Sequence, residues 1–412
     1  MSKQAFVIVG ASLAGAKAAE ELRAQGFDGR VVLIGDEPER PYERPPLTKD
    51  YLRGESPREK AYVHEQGFYT EQEIELQTGV KVTAIDPGST RISLADGREL
   101  AYDRLLLATG AEPRRISIPG AELDSVYYLR TLEDCDVLRA RMATSGRVAV
   151  VGAGWIGSEF AASAQMRGLE VTVIDPLALP LERVFGAEIG AFYRDVHRAH
   201  NVELLLGEAV ESFEGAGAVE RVRTATGRTV ECDFAVVAVG VTPRSELASA
   251  AGLAVENGIL VTDGLETTAP GVFAAGDVAN AWHPFLSQRI RVEHWANAAE
   301  QGAAAARAML GQPTSYEQIP YFFSDQYDVS MEYTGYAANW ERVVFRGRPE
   351  SGEFIAFWLA DDRVLAGMNV NVWDVNEHIQ ALIRSREQVD RAALLDTGTP
   401  LEALLGARSP RG

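Results

Sequence analysis

Two stretches of the chain repeat one pattern of apolar and small residues. The run Ala5 to Val9 ends at Gly10, passes Ser12 and Gly15, continues through an alanine-rich segment to Gly26, and returns as the apolar run Val31 to Ile34 before Asp36 and Glu37. The second copy is Val148 to Val151, then Gly152, Gly154 and Gly157, a helical segment from Ser158 to Arg167, and Val171 to Ile174 ending on Asp175. Continuous apolar runs of this length read as buried parallel strands, and the small-residue segments between them as crossover helices. Each copy is followed by a later apolar run closing on a small-residue turn, Leu105 to Gly110 and Ala235 to Gly240. A further run of this kind, Gly271 to Asp277, is assigned back to the first copy.

The expected fold is therefore α/β: two Rossmann-like three-layer nucleotide-binding domains plus a C-terminal α+β domain. The first domain is expected over 1–112 and 246–320, with the second inserted as 113–245. From 321 to 412 the pattern changes to alternating strands such as Phe354 to Trp358, with helical stretches at Asn376 to Arg384 and Asp390 to Leu395. A length of 412 residues supports two or three such domains.

A strand that turns through glycines into a helix aims backbone N–H groups and the positive helix end at a pyrophosphate. An acid about 20 residues further on suits an adenosine ribose. Gly152, Gly154, Ile156 and Gly157 with Asp175 meet this pattern fully. Gly10, Ser12, Leu13, Ala14 and Gly15 with Asp36 and Glu37 meet it with serine at the middle glycine, so a plain packing corner is a stronger alternative there. Two cradles in one chain favour two dinucleotides.

The surroundings suggest which cradle holds which ligand. The first continues into Arg40 to Lys49, a proline-rich loop carrying cations, and recruits the turn Ala108, Thr109 and Gly110 together with Gly276 and Asp277. So many distant contacts suit a tightly held FAD. Asp277 is placed for a ribityl hydroxyl, with helix capping as the alternative. A helix starting near Glu293, His294 and Trp295 could direct N–H groups at the flavin pyrimidine edge. The second cradle, with the turn Val239 and Gly240, has fewer enclosing elements and suits an exchanging nicotinamide dinucleotide. Asp175 favours free ribose hydroxyls and repels a 2′-phosphate, so NADH is expected over NADPH. Arg183 is the nearest cation and a candidate for the adenosine or diphosphate end, an exposed arginine being the alternative. Glu159 on the first turn of the second helix is expected to pair with Lys49, a helix-dipole glutamate being the alternative, and the two are the candidate catalytic residues.

Composition narrows the partners. A net charge of −19 argues against nonspecific binding to nucleic acid or anionic lipid. No apolar run approaches the roughly 20 residues of a membrane span. The chain enters its first strand a few residues after Met1 without a secretory leader, so a cytoplasmic location is expected. Cys135 and Cys232 form no CxxC pair, which leaves redox chemistry to a bound cofactor.

Taken together, the segments Arg40 to Lys49, Ala108 to Gly110, Gly152 to Glu159, Val272 to Asp277, Val292 to Trp295 and Phe323 to Tyr327 resemble the FAD-dependent NADH:ferredoxin reductases of bacterial oxygenase systems. The resemblance runs over essentially the whole chain. It implies a glutathione-reductase-like fold in which Arg44, Lys49, Val82 and Asp277 contact FAD and Glu159 and Asp175 contact NAD; Arg130 is a further candidate cofactor contact. It implies hydride transfer from NADH to FAD and single-electron delivery to a ferredoxin, expected to be of the [2Fe–2S] type, that serves a cytochrome-type monooxygenase or another oxygenase. The C-terminal domain is implied to cover the flavin and help dock that partner. Among the basic residues, Arg289, Arg291, Arg384 and Arg386 are candidates for the dock, with scattered surface arginines the stronger alternative. Ser12, Thr48, Tyr321 and Phe323 depart from the family pattern, the last two where tryptophans are usual, which bears on partner preference. Two other readings stay open: a flavin-dependent NADH oxidoreductase with a different acceptor, and an NADH-sensing redox interaction protein.

Overall fold

The computed structural model describes residues 4–405; the ends of the first and last expected domains, 1–3 and 406–412, lie outside them. Two compact units emerge. One gathers the chain up to Pro46, Ser56–Pro113 and Val241–Gln318, and the other gathers Leu47–Glu55, Arg114–Gly240 and the chain from Ile319 on.

The first unit is built on a parallel five-stranded sheet ordered Val272–Ala274, Arg104–Leu107, Ala5–Val9, Arg30–Ile34, Ile74–Gln77. Its strands read as uninterrupted apolar runs because both faces are covered, and Val7, Ile8, Val32, Leu33, Leu105 and Leu106 are fully buried. The strand Val272–Ala274 pairs with Arg104–Leu107, so the late segment does return to the first sheet. A three-stranded antiparallel meander, Val82–Asp86, Arg91–Leu94 and Glu99–Ala101, belongs to the same unit. The helices Leu13–Ala24 and Trp295–Met309 lie against one another in backbone contact: a Cβ on Gly302 would stand 2.2 Å from the Ala14 carbonyl oxygen.

The second unit repeats the plan with the order Glu203–Leu206, Glu170–Asp175, Arg147–Val151, Phe234–Val237, Val126–Tyr127, again all parallel. It carries its own meander of Val210–Glu214, Arg221–Thr224 and Thr229–Glu231. The duplication therefore includes the meander, a layer whose short half-exposed strands carry little periodic signal. Residues from 319 on add an antiparallel sheet ordered Tyr321–Gln326, Val329–Gly335, Arg363–Val370, Glu353–Ala360, Arg342–Arg348, with the helix Asn376–Ser385 against it.

An aromatic core explains why this C-terminal sheet clusters with the second unit. Phe185 lies 5.1 Å from Trp155, 5.9 Å from Phe322 and 5.5 Å from Trp358, centroid to centroid, and the Trp358 indole donates to the Phe185 carbonyl at 3.0 Å. Such pairs stabilise beyond their area alone. The loop 47–55, expected from sequence in the first domain, joins this unit through Ser163, whose hydroxyl donates to the Thr48 carbonyl at 2.6 Å, and through Tyr51, which donates to Asp136 at 2.5 Å. Among the described residues, no helix is long and apolar enough to cross a membrane.

Gly302→Ala forces a methyl group into the Ala14 backbone. The two helices must separate, so stability is expected to fall by about 1–3 kcal/mol. Urea unfolding checks this, and an unchanged midpoint would show that the helices do not depend on the close approach.

Candidate functional site

In the first unit, Gly10 holds φ +119°, and a Cβ there would lie 2.0 Å from the Ala108 carbonyl oxygen. A Cβ on Gly15 would meet the Gly10 carbonyl at the same distance. Both positions therefore admit only glycine, and they bring the turn Ala108, Thr109, Gly110 against the start of the helix Leu13–Ala24. Ser12 caps that helix in an extended conformation but makes no side-chain capping bond, and no acid sits in the first turn. Its hydroxyl lies 3.5 Å from Arg44, which in turn stands 3.8 Å from Glu37; Glu37 also accepts from Tyr42. Asp36 is occupied by Arg244 at 2.6 Å, and its carboxyl is held below the usual range by that contact against the opposing effect of burial. Sequence alone did not point to Arg244. Its backbone is tied to the glycine turn, through Thr109 Oγ1 to its carbonyl at 2.7 Å and its own N–H to the Gly110 carbonyl at 2.9 Å.

The remaining expected residues of this unit gather as follows. Gly276 donates its N–H to Gln301 at 2.9 Å, and a Cβ on it would press the Ala14 methyl at 3.1 Å, so the Gly276 and Asp277 turn lies against both long helices. His294 is the N-cap of Trp295–Met309, again with no side-chain capping bond and no acid in the first turn. Glu293 pairs with Arg291 at 2.5 Å. Val82 opens the meander and is buried. Arg289 donates to the carbonyls of Val261 and Asn280, so it and Arg291 are engaged within this unit.

The second cradle lies wholly in the second unit. Gly152 holds φ +107° with a virtual Cβ 2.4 Å from the Ala238 carbonyl, next to Val239 and Gly240, and one on Gly157 would sit 1.9 Å from the Gly152 carbonyl. Gly154 is different: it caps the helix Trp155–Met166 with φ −78°, and a Cβ there would meet nothing within 4 Å. The middle glycine borders open space beside uncapped N–H groups. Ile156 lies on the same first turn. Asp175 accepts from Ala153 N–H at 2.7 Å and Leu177 N–H at 2.7 Å, one bond to each oxygen. A carboxylate has about four acceptor sites, so two remain for ribose hydroxyls. Arg183 is exposed on the short helix Glu182–Phe185. Arg130 precedes a capping box in which Thr131 and Asp134 close the helix Leu132–Met142.

Glu159, expected on the first turn of the helix Trp155–Met166, lies just past it, because the helix starts earlier than the sequence suggested, and is only 7% exposed. Its Oε2 accepts from Lys49 Nζ at 2.7 Å and from Thr48 Oγ1 at 2.5 Å, while Oε1 accepts from Ser324 Oγ at 2.7 Å. The expected Lys49 partner is present, and two hydroxyl donors come with it. Charge-assisted bonds of this number are what a buried carboxylate needs to stay tolerable. Lys49 also lies 5.6 Å from the Phe323 ring centroid. Thr48 and Ser324 were legible only as parts of longer matching segments; a hydroxyl on a C-terminal strand carries no sequence signal for reaching a helix 165 residues earlier.

Comparison with known proteins accounts for this arrangement. The profile of the pyridine nucleotide-disulphide oxidoreductases matches residues 4–302, and that of the reductase C-terminal domain matches 321–405. The chain belongs to the pyridine nucleotide-disulphide oxidoreductase family. It is 36% identical to putidaredoxin reductase of Pseudomonas putida over 97% of this chain and 96% of that protein. It is 39% identical to the ferredoxin–NAD(+) reductase component of the anthranilate 1,2-dioxygenase system of Burkholderia cepacia, over 98% of this chain and all of that one, 100%. The crystal structure of a covalent putidaredoxin reductase–putidaredoxin complex superposes with a TM-score of 0.95 at 35% identity, covering 100% of both chains. The fold class is thereby that of the family: Rossmann-type FAD- and NAD-binding domains followed by a C-terminal domain.

The residues present fit a dinucleotide in each cradle. Three helices, Leu13–Ala24, Trp155–Met166 and Trp295–Met309, start with no side-chain cap and no first-turn acid, whereas Leu132–Met142 carries a full capping box. Uncapped N–H groups beside glycines are an anion site in waiting. Neither cysteine is in a disulfide and both are buried, and burial pushes the Cys232 thiol up to about 12.

Gly154→Ala adds a methyl group that touches no atom of the chain, so folding stability is expected to stay within about 0.5 kcal/mol of the parent. Nicotinamide dinucleotide affinity is expected to fall about tenfold or more, since the methyl group enters the space a phosphate needs. Urea unfolding checks the first half and calorimetric titration with NAD+ the second, and unchanged affinity would place the ligand elsewhere.

Proposed function

We propose that this chain is the reductase of an electron-transfer system, oxidising NADH by hydride transfer to FAD and delivering single electrons to a [2Fe–2S] ferredoxin that supplies an oxygenase. It is an FAD-dependent oxidoreductase of the family named above, with NADH as its other cofactor. The observation that carries the reading is the pair of complete dinucleotide cradles in a chain that lacks an accessible thiol. When bound, FAD supplies acceptance of electrons in a pair and their release one at a time.

The protein's own contribution is binding and electrostatics. Residues 10–15, Arg44, Val82, Ala108 to Gly110, Gly276, Asp277 and the helix start at Glu293 to Trp295 are proposed for FAD, and Gly152 to Gly157, Asp175, Arg183, Val239 and Gly240 for NADH, with Arg130 a further cofactor contact. Lys49 and Glu159 are proposed as the charge pair that orients the reacting rings. A fixed pair stabilises charge without reorganising during the reaction. The division of labour is proposed to follow 1–112 with 246–320, 113–245 and 321–412, except that the loop 47–55 goes with the second unit and 241–245 with the first; a cytoplasmic setting suits it. The Burkholderia relative is by name the ferredoxin–NAD(+) reductase component of a dioxygenase system, and the putidaredoxin reductase structure is that of a covalent complex with putidaredoxin, which is why a ferredoxin is the acceptor proposed here. The burial of Cys135 and Cys232 weighs against a thiol-based disulfide or peroxide reductase.

Anaerobic NADH is expected to bleach the flavin band of the purified protein, and an added [2Fe–2S] ferredoxin to restore it over many turnovers; a colourless protein, or one inert to every ferredoxin in a panel, would sink the proposal. Glu159→Ala leaves Lys49, Thr48 and Ser324 without their shared acceptor. Stopped-flow reduction by NADH is expected to slow about tenfold or more at unchanged flavin content, and an unaltered rate would remove Glu159 from the site. Asp175→Ala is expected to narrow the preference for NADH over NADPH, read as a ratio of kcat/KM values; a parent enzyme that already uses both equally would refute the ribose assignment.

A further inference from the structure

The second cradle shows how a carboxylate at this place in the motif is held. Gly152 N–H donates to the Ile174 carbonyl at 2.8 Å, Asp175 follows at once, and the N–H groups of Ala153 and Leu177 fix its two oxygens at 2.7 Å each. The first cradle has the same register, with Gly10 N–H on the Ile34 carbonyl at 2.7 Å and Val9 beside Ile34 as Val151 is beside Ile174. The counterpart of Asp175 is therefore Gly35. A Cβ on Gly35 would stand 2.6 Å from the Ala11 Cβ, so the glycine loop leaves no room for an acid there. The acid comes one residue later, as Asp36, and needs a different donor.

Arg244 is that donor. Its Nη2 meets Asp36 Oδ2 at 2.6 Å, and the N–H of Asp36 also bonds the carboxylate. Both ends of the pair are anchored. On one side Gly35 N–H donates to the Gln77 carbonyl at 2.9 Å, Val80 N–H to the Gly35 carbonyl at 2.8 Å and Gly79 N–H to the Glu37 carbonyl at 2.8 Å. On the other, the Arg244 carbonyl accepts from Thr109 Oγ1 at 2.7 Å, its N–H donates to the Gly110 carbonyl at 2.9 Å, and it follows Pro243, which pairs with Ala111. All of these residues belong to the first unit. The pair thus joins the end of the strand Arg30–Ile34 to the turn Ala108, Thr109, Gly110. Lys81 acts on Asp36, and Glu112 and Glu246 on Arg244, more weakly than the two act on each other. With the Arg244 and Asp36 side chains 35% and 38% exposed, the pair adds little to folding stability. Arg244 occupies one carboxylate oxygen, and about four acceptor sites per carboxylate leave room for hydroxyl donors.

We propose that Arg244 is a positioning residue for the flavin dinucleotide, holding Asp36 turned so that its carboxylate accepts from the hydroxyls of the adenosine ribose. Resting on the FAD reading of the first cradle, this adds to that site a side chain that acts through another. A hydroxyl donating to a carboxylate makes a charge-assisted bond that weakens as its angle departs from straight, so an acid left to rotate loses part of it. Arginine suits the task because its planar fork fixes the orientation of the group it binds as well as the distance. Glu37 is engaged elsewhere: it accepts from Tyr42 and stands 3.8 Å from Arg44. The two cradles therefore hold their acids by different means, backbone N–H groups at Asp175 and a side chain from 208 residues away at Asp36.

The full-length chain, freed of flavin, is titrated with FAD and with its 2′,3′-dideoxyadenosine analogue, and binding is read by flavin fluorescence. The parent is expected to bind FAD about tenfold or more tighter than the analogue, as loss of charge-assisted bonds implies. In Arg244→Met that ratio is expected to fall to about threefold or less, with Arg244→Lys between the two. Asp36→Asn, close in shape to the parent, lowers the ratio in the same way, and adding Arg244→Met to it lowers the ratio no further. A purely structural role for Arg244 weakens both dinucleotides alike and leaves the ratio at the parent value, which overturns the proposal, as does a parent that binds the two equally. A chain that binds neither dinucleotide overturns the FAD reading of the cradle and this inference with it, whereas FAD bound with an unmoved ratio removes Arg244 alone.

Discussion

A carboxylate tolerates burial only when its lone pairs are filled, and Glu159 is the point on which the second unit turns. Its three donors come from the loop at Thr48 and Lys49 and from Ser324 on the first strand of the C-terminal sheet. Neither segment is near the helix Trp155–Met166 in sequence, so the carboxylate is a tie between three separate stretches of chain. The aromatic core around Phe185 holds the same elements from the apolar side. Ionic and apolar contacts thus converge on the turn that opens the second cradle.

Glycine geometry does the complementary work. At Gly10, Gly15, Gly152 and Gly157 the backbone of a neighbouring strand or turn fills the place of a side chain, which draws strand, turn and helix together. Gly154 has no such neighbour, and the absence of a side chain there opens space at a helix end. Two uses of one residue type, close approach for the chain and close approach for a phosphate, explain why the motif is read so readily.

That motif is why the architecture was legible. Strands such as Arg147–Val151 and Glu170–Asp175 are uniform apolar runs bounded by glycine and acid, so their ends fell within a residue or so of expectation. The Lys49 and Glu159 pair was also legible, because a buried acid demands a cation and the proline-rich loop offers one. The meanders were not, since Glu99–Ala101 and Thr229–Glu231 are three-residue strands half open to solvent. Arg244 escaped notice because its partner Asp36 lies 208 residues away.

The account rests on one chain holding two dinucleotides at once, one retained and one exchanging. The most direct measurement is the binding stoichiometry of the desalted protein: flavin content by absorbance after release, and NAD+ binding by calorimetry on the same sample. One FAD and one NAD+ per chain, with no flavin lost as NAD+ binds, is the predicted result. Flavin displaced by NAD+, or a single nucleotide site per chain, would contradict it.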